Sequence, residues 1–180
     1  MRKLSIALVG VLASANLFAQ MVQPKLTNLR VGDEAPDFTL NSTEGGQVTL
    51  SAFRGKNVVV VAFYPAAFTG GCTKEFLSYR DGMAKFAESG AKVFGISTDN
   101  TPSQREFAAK NNFTNPFLSD FAKREVTRKY GVLNESAGVA NRVTFVVGED
   151  GKILHIDENT AAIDSTGAAD ACSRAAHRKP

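Results

Sequence analysis

The stretch Val58–Glu75, VVVVAFYPAAFTGGCTKE, decides the fold. It opens on an unbroken apolar run that ends at Pro65, which is typical of a central strand buried on both faces. Beyond it, apolar side chains recur at spacings of three and four residues, at Phe76, Tyr79, Met83 and Phe86. This spacing predicts one helix from about Cys72 to Glu88, with the apolar stripe facing the sheet.

Strands and helices continue to alternate towards the C-terminus. The segment Thr101-Pro102-Ser103-Gln104 matches a capping box with proline in the first helical position, and it predicts the start of a second helix. The order of elements predicts an α/β fold with a central mixed sheet. The other predicted elements are strands at Lys92–Thr98 and Phe117–Leu118, a helix over Ala122–Tyr130, a hairpin of Val143–Val147 with Lys152–Ile156, and a C-terminal helix from about Asp164 to Lys179.

The N-terminus has the form of a secretory signal peptide. Met1-Arg2-Lys3 is a short positive segment, and the apolar stretch Leu4–Leu12 follows it. This stretch is shorter than the roughly 20 residues that a helix needs to cross a bilayer. Cleavage after Ala15 or Ala19 fits the small residues that come next. We expect residues 1–19 to be a signal peptide, 20–30 a linker and 31–180 one catalytic domain.

Charge and composition exclude some classes of function. A chain of 180 residues with 43% hydrophobic content can bury the core of one compact domain. Cleavage of the leader removes two of the 21 basic residues, which leaves 19 against 18 acidic ones. Because the basic residues are dispersed among acidic ones, we expect no binding of nucleic acid.

Cys72 has the sequence context of a reactive thiol. We expect it to open its helix, where the positive end of the helix dipole and free backbone N–H groups favour the nucleophilic thiolate. Gly70 and Gly71 leave those N–H groups open to a small substrate, and Thr69 offers a hydroxyl nearby. Spacing alone leaves a second interpretation open, in which Cys72 is a small buried apolar residue and the glycines only form a turn.

Pro65, Thr69 and Cys72 stand in the arrangement Pro-x-x-x-Thr-x-x-Cys, which marks the active site of peroxiredoxins. The chain thus resembles the peroxiredoxin superfamily, of the alkyl hydroperoxide reductase and thiol-specific antioxidant type. The resemblance extends from Val31–Phe38 to Arg142–Val147 and the hairpin after it. It implies a thioredoxin-like fold, a central mixed sheet flanked by helices on both faces, and a thiol-dependent peroxidase that needs no cofactor.

The resemblance also implies roles for five side chains. Cys72 resembles the peroxidatic cysteine, and Thr69 the hydroxyl that hydrogen-bonds the thiolate and the peroxide. Pro65 resembles the ring that shields the sulfur from water. Arg142 resembles the family's arginine, whose fixed charge stabilises the thiolate and the departing oxygen. Glu75 occupies a family position from which a carboxylate can pair with or orient the arginine.

The resemblance implies that Cys72 is oxidised to a sulfenic acid, which then condenses with a second thiol. The sequence does not identify that second thiol. The segment Gly71–Glu75 is most similar to the bacterioferritin-comigratory-protein branch, in which a resolving cysteine often lies five residues after the first. That position holds Leu77 here, and the other cysteine is Cys172, near the C-terminus. Either Cys172 forms a disulfide with Cys72, within its chain or between chains, or an external thiol resolves the sulfenic acid.

The same resemblance, together with the N-terminal leader, predicts the substrate, the reductant, the oligomeric state and the cellular location of the protein. We expect a hydroperoxide substrate, a thioredoxin-like or small-thiol reductant, a monomer or homodimer, and no stable membrane insertion after cleavage. Export to a bacterial periplasm fits the leader and the branch.

Two other classes of function compete with the peroxidase. An exported protein with an even cysteine pair can hold a structural disulfide in a redox-silent, thioredoxin-like binding or holdase module. A disulfide oxidoreductase acts through Cys-x-x-Cys, but Thr69 stands where its other cysteine would be. His155 and His177 are isolated from one another and from the cysteines, so we expect no metal or haem.

Overall fold

The computed structural model describes residues 25–178. The predicted signal peptide and the first residues of the predicted linker lie outside this range. The part of the linker that is described, residues 25–30, lies against the domain. Thr27 Oγ1 donates to the Tyr130 carbonyl at 2.6 Å, and Leu26 N donates to the Glu158 carboxylate at 3.1 Å. Within residues 25–178 no helix has the length and apolar character needed to cross a membrane.

The described chain forms a large mixed sheet and a small ribbon. Along the chain the strands are β1 (Thr39–Ser42), β2 (Gln47–Thr49), β3 (Val59–Phe63), β4 (Lys92–Ser97), β5 (Phe117–Ser119), β6 (Leu133–Asn134), β7 (Val139–Ala140), β8 (Val143–Val147) and β9 (Ile153–Glu158). The large sheet has the order β2-β1-β5-β4-β3-β8-β9, and β6 pairs with β7. Strand β3 runs parallel to β4 and antiparallel to β8, so the sheet is mixed, as predicted.

Helices cover both faces of this sheet, which confirms the predicted architecture. The α-helices of the described region are α1 (Gly70–Glu88), α2 (Thr101–Asn111), α3 (Glu125–Lys129) and α4 (Thr166–Ala176). Side chains of α1, α2 and α4 share an apolar cluster with Val60 and Ala62 of β3. The opposite cluster contains Val126 of α3 together with Val61 and Phe63 of β3. Alternate residues of β3 thus pack into two cores, one on each face of the sheet, and this explains the unbroken apolar sequence of the strand.

Helix α2 begins without the predicted capping box. Its N-cap is Asn100, whose side-chain oxygen accepts the Ser103 N–H at 2.9 Å, and Thr101 is already helical. Gln104 is buried and donates to Ser97 Oγ at 3.0 Å and to a carbonyl of β5 at 2.9 Å. These two bonds hold the Gln104 side chain in the core, so it does not cap α2.

Helix α3 is shorter than the predicted span of residues 122–130. Arg124, which precedes the helix, has a left-handed backbone with φ of 55°. The Asp120 carboxylate accepts both the backbone N–H and the hydroxyl of Thr127 at 2.7 Å. These two bonds satisfy a backbone donor in the first turn of α3, and the segment before Glu125 runs as a turn instead of as helix.

Candidate active site

The first turn of α1 holds Cys72 at the edge of the sheet where β3 ends. Residues 64–69 form the loop between β3 and α1, and Thr69 is the N-cap residue with an extended backbone. Cys72 is fully buried, with a relative exposure of 0%. The N–H groups of a first helical turn have no partners within the helix, so they and the helix dipole stabilise an anion at this point. The location agrees with the prediction that Cys72 opens the helix.

Arg142 reaches Cys72 from the residue before β8. Its Nη2 donates to Cys72 Sγ at 3.4 Å. Its Nη1 is paired with the Glu75 carboxylate, one turn along α1 from the cysteine. Glu75 is wholly buried and the Arg142 side chain is 13% exposed, so this ion pair is shielded from solvent. The structure therefore brings Cys72, Arg142 and Glu75 together, although Arg142 is 70 residues from the cysteine in sequence.

Thr69 and Pro65 lie in the loop that connects β3 to α1. Thr69 is exposed, and its hydroxyl donates to the Ala66 carbonyl at 3.0 Å. The Thr69 carbonyl accepts the Thr73 hydroxyl and the Thr73 N–H, each at 2.9 Å, and these bonds tie the loop to the helix. Pro65 is half-buried. The hydroxyl proton of Thr69 is thus committed to a carbonyl of its own loop, and its lone pairs remain for other partners.

Asp99 supports the same loop and was missed by the sequence reasoning. Its Oδ2 accepts the Ala67 N–H at 2.8 Å and the Ser97 hydroxyl at 2.9 Å. The signal was present, because Asp99 follows β4 and the carboxyl ends of neighbouring parallel strands meet at one edge of a sheet. Since β3 and β4 are parallel neighbours, a polar residue just after β4 is placed beside the loop after β3.

Comparison with known proteins now identifies the family. Residues 31–156 match the AhpC/TSA family. The chain belongs to this family. It is therefore a peroxiredoxin, a thiol-dependent peroxidase among the oxidoreductases. The comparisons lend no support to a redox-silent binding module.

Its relatives and structural neighbours agree with this assignment. The chain is similar to alkyl hydroperoxide reductase E of Mycobacterium tuberculosis, with 43% identity over 126 residues, which cover 69% of this chain and 82% of the relative. It is 37% identical to chloroplastic peroxiredoxin Q of Sedum lineare, over 84% of this chain and 86% of the relative. The crystal structure of peroxidoxin BcpB from Mycobacterium tuberculosis superposes with a TM-score of 0.75 at 35% identity, over 84% of this chain and 99% of that one.

Tyr64 of this peroxiredoxin contributes to packing beneath the site. It is fully buried, and its ring makes an edge contact with Phe76 of α1 at a centroid distance of 4.9 Å. Phe107 of α2 and Phe117 of β5 complete an aromatic cluster around it. Burial raises the pKa of the Tyr64 phenol well above its usual value. These contacts identify Tyr64 as a packing residue of the core.

Cys172 lies in α4, which packs on the same face of the sheet as α1. Both cysteines are free and buried, and both belong to the apolar cluster on that face. Burial raises the pKa of the Cys172 thiol to about 12, so in the folded peroxiredoxin it remains protonated at neutral pH. Among residues 25–178 no three His, Cys, Asp or Glu side chains converge in a way that would hold a metal ion.

Proposed function

We propose that the Cys72 thiolate is the group through which this peroxiredoxin reduces hydroperoxides. The observation that carries the proposal is the hydrogen bond from Arg142 Nη2 to Cys72 Sγ, 3.4 Å long, at the N-terminus of α1. A fixed cation and a helix N-terminus both favour an anion at the sulfur. Thiolate is the form that acts as nucleophile.

The first half of the reaction is an attack on the O–O bond. The thiolate sulfur forms an S–O bond with the outer oxygen of the hydroperoxide, and the O–O bond breaks. The attacked oxygen keeps its hydrogen, so Cys72 becomes a sulfenic acid, and the inner oxygen takes up the proton that the thiol lost on ionising and leaves as water or an alcohol. The sulfur is oxidised by two electrons, and the peroxide is reduced by the same two.

Arg142 is the residue placed to stabilise the charge that this step moves. Its guanidinium donates several hydrogen bonds in a fixed plane, so the same group can bond the thiolate and then the departing oxygen. The buried Glu75 carboxylate holds the opposite side of the guanidinium and keeps it aimed at the sulfur. Thr69 binds the peroxide from the exposed side, and the half-buried Pro65 ring limits the access of water to the sulfur.

Two routes resolve the sulfenic acid by forming a disulfide with loss of water, and further thiol of the external reductant then reduces that disulfide and restores the Cys72 thiol. An external thiol, from a thioredoxin-like protein or a small molecule, attacks the sulfenic acid without any change in the fold. Alternatively, Cys172 forms the disulfide with Cys72. This second route requires Cys172 to be released from its buried site in α4, because a buried, protonated thiol is a poor nucleophile. It also requires the two Cα atoms to lie within about 7 Å of one another when the bond forms.

The relatives and the N-terminal segment support a proposal for the substrate class and for the cellular location. A relative named alkyl hydroperoxide reductase supports organic hydroperoxides as substrates beside hydrogen peroxide. The leader at residues 1–19 supports export of the protein to a bacterial periplasm. We retain a monomer or a homodimer as the oligomeric state.

Stopped-flow kinetics of the reduced protein with hydrogen peroxide test the proposal. Rapid consumption that is lost in Cys72→Ser supports the assignment. A reaction no faster than that of a free thiol in solution would contradict it. The intact mass of the oxidised protein then separates the two routes. A loss of two hydrogens indicates a disulfide between Cys72 and Cys172, and a gain of one oxygen indicates a sulfenic acid that awaits an external thiol.

A further inference from the structure

The peptide unit that joins Ala66 to Ala67 is hydrogen-bonded at both of its ends. Its carbonyl accepts the Thr69 hydroxyl at 3.0 Å. Its N–H donates to Asp99 Oδ2 at 2.8 Å. A charged acceptor makes a stronger hydrogen bond than a neutral one, and it polarises the peptide so that the carbonyl at the far end becomes a better acceptor. Asp99 and Thr69 are therefore linked through a single peptide group.

The Asp99 carboxylate is itself held in one orientation. Gln104 Nε2 donates to Ser97 Oγ at 3.0 Å, so the Ser97 hydroxyl directs its own proton to Asp99 Oδ2 at 2.9 Å. The Asp99 carbonyl accepts the Ser119 hydroxyl at 2.6 Å. Ser97 and Gln104 are fully buried. Three elements of the fold, β4, β5 and α2, thus determine where the carboxylate points.

The loop that Asp99 supports carries backbone strain. Phe68 lies between Ala67 and Thr69 and has φ of 64°, a left-handed value that is an outlier for a bulky residue. Such a conformation persists only where the surrounding contacts impose it. The bond from Ala67 N to Asp99 adjoins the strained residue, and the edge contact of the Phe68 ring with Phe107, with centroids 5.4 Å apart, is the second restraint.

Stabilisation of charge does not explain a carboxylate at this place. A negative charge near a thiolate is unfavourable for the first step of the reaction. Asp99 accepts the N–H of Ala67, which lies in the loop that leads to Cys72. The benefit of Asp99 must therefore come from its hydrogen bond.

We propose that Asp99 is a positioning residue for Thr69. Acting through the peptide group between Ala66 and Ala67, it commits the Thr69 proton to the Ala66 carbonyl and leaves the lone pairs of Thr69 Oγ1 to accept the O–H of the hydroperoxide. The terminal oxygen of the substrate is thereby directed towards Cys72. This inference rests on the proposed function.

The test separates the reaction with peroxide from the general reactivity of the thiol. All variants carry Cys172→Ala, so that Cys72 is the single thiol. Rates are measured with hydrogen peroxide and with iodoacetamide, which alkylates Cys72 without using Thr69. Asp99→Ala is expected to lower the rate with peroxide by about tenfold or more, the effect of losing one charge-assisted hydrogen bond, and not to lower the rate with iodoacetamide.

Three comparisons make the test specific. Asp99→Asn keeps an oxygen that accepts the Ala67 N–H, so it should recover most of the rate with peroxide. The double variant Asp99→Ala with Thr69→Val should be no slower than Thr69→Val alone, because residues that act as one unit are not additive. Asp120→Asn changes a buried carboxylate that caps α3, and it should react with peroxide at the parent rate.

Several outcomes would overturn the inference. Independent, additive losses from Asp99→Ala and Thr69→Val would show that the two residues are not coupled. A parallel change in the peroxide and iodoacetamide rates would show that Asp99 only maintains the loop. If the parent reacts rapidly with peroxide and Asp99→Ala reacts equally fast, the inference alone fails. If the parent is no faster than a free thiol, the proposed function fails, and the inference fails with it.

Discussion

The Cα of Gly71 faces the Arg142 guanidinium so closely that a Cβ on this residue would lie 3.1 Å from Nη2. The guanidinium cannot retreat without losing its pair with the buried Glu75 carboxylate. The nitrogen that this Cβ would approach, Nη2, is also the one that donates to Cys72 Sγ. The absence of a side chain at position 71 is therefore a condition for the contact between the arginine and the sulfur.

Gly71→Ala should slow the reaction with peroxide. The added methyl group pushes Nη2 away from Cys72 Sγ and weakens one charge-assisted hydrogen bond, so we expect a loss of about tenfold in the second-order rate constant. Gly70→Ala is the matched comparison, because a Cβ there meets no atom within 4 Å. Stopped-flow rates of the two variants check the prediction. Equal losses in both would show that the approach to Arg142 is not the cause.

Arg142→Ala should destabilise the fold as well as slow the reaction. The substitution leaves the fully buried Glu75 carboxylate without its partner, which typically costs about 3–5 kcal/mol. Combining Arg142→Ala with Glu75→Gln removes the unpaired charge, and it should recover part of the stability but none of the rate with peroxide. Urea unfolding and stopped-flow kinetics measure the two properties. An Arg142→Ala variant as stable as the parent would contradict the buried pair.

The stability of the fold should fall at alkaline pH, in part through Cys172. Burial raises the pKa of its thiol from 9.0 to about 12. Between these values the unfolded chain loses the proton while the folded chain retains it. The unfolded state then binds fewer protons, and the unfolding free energy falls by up to about 1.4 kcal/mol per pH unit.

The variant Cys172→Ala isolates this contribution to the pH dependence. The pKa values of the buried phenols of Tyr64, Tyr79 and Tyr130 are also raised, so they act in the same direction in both proteins. The unfolding free energy of the parent should fall more steeply than that of Cys172→Ala between pH 9 and about 12. Urea titrations at a series of pH values give this difference. Parallel curves would show that the thiol is solvated.

Loosening α4 should reveal which thiol resolves the sulfenic acid. A Cβ on Gly167 would lie 2.7 Å from Asp157 Oδ2 and 3.1 Å from His155 Nε2, so Gly167→Ala displaces these side chains of β9 and loosens the contact that α4 makes with them. If Cys172 resolves Cys72, the disulfide should form faster in this variant, because opening of the helix limits the step. If an external thiol resolves it, the rate of turnover with that thiol should be unchanged.

A second variant checks that the effect comes from the docking of α4. Ser165, which precedes the helix, donates through its hydroxyl to the Ser78 carbonyl of α1 at 3.0 Å. Ser165→Ala removes this bond without adding volume, and it should change the rate of disulfide formation in the same direction as Gly167→Ala. Quenched-flow mass analysis follows the disulfide. Opposite effects of the two variants would exclude a common opening of α4.

Local patterns predicted the centre of the fold well. The apolar run before Pro65 predicted β3, and the stripe that begins at Phe76 predicted α1 to within two residues at its start. Both signals arise from side chains that face a core at a regular period. The strands β1 and β2 were not predicted, because they are only four and three residues long and largely polar.

Predictions failed where a side chain had a tertiary partner. The Gln104 amide was expected at the cap of α2, but it bonds to β4 and β5 in the core. The Asp120 carboxylate accepts the N–H and the hydroxyl of Thr127, and the segment before α3 is consequently a turn and not a helix. Capping and propensity are weak local preferences, and a buried hydrogen bond outweighs them.

The sequence by itself determined the candidate reactive centre, because Pro65, Thr69 and Cys72 lie within one loop and one helical turn. Tertiary structure alone decided what surrounds that centre. The antiparallel pairing of Phe63 with Val143 brings Arg142 to the sulfur, and the parallel pairing of Phe63 with Ile96 brings the segment of Asp99 to the loop. The register between strands depends on the packing of the whole sheet, so no local pattern encodes it.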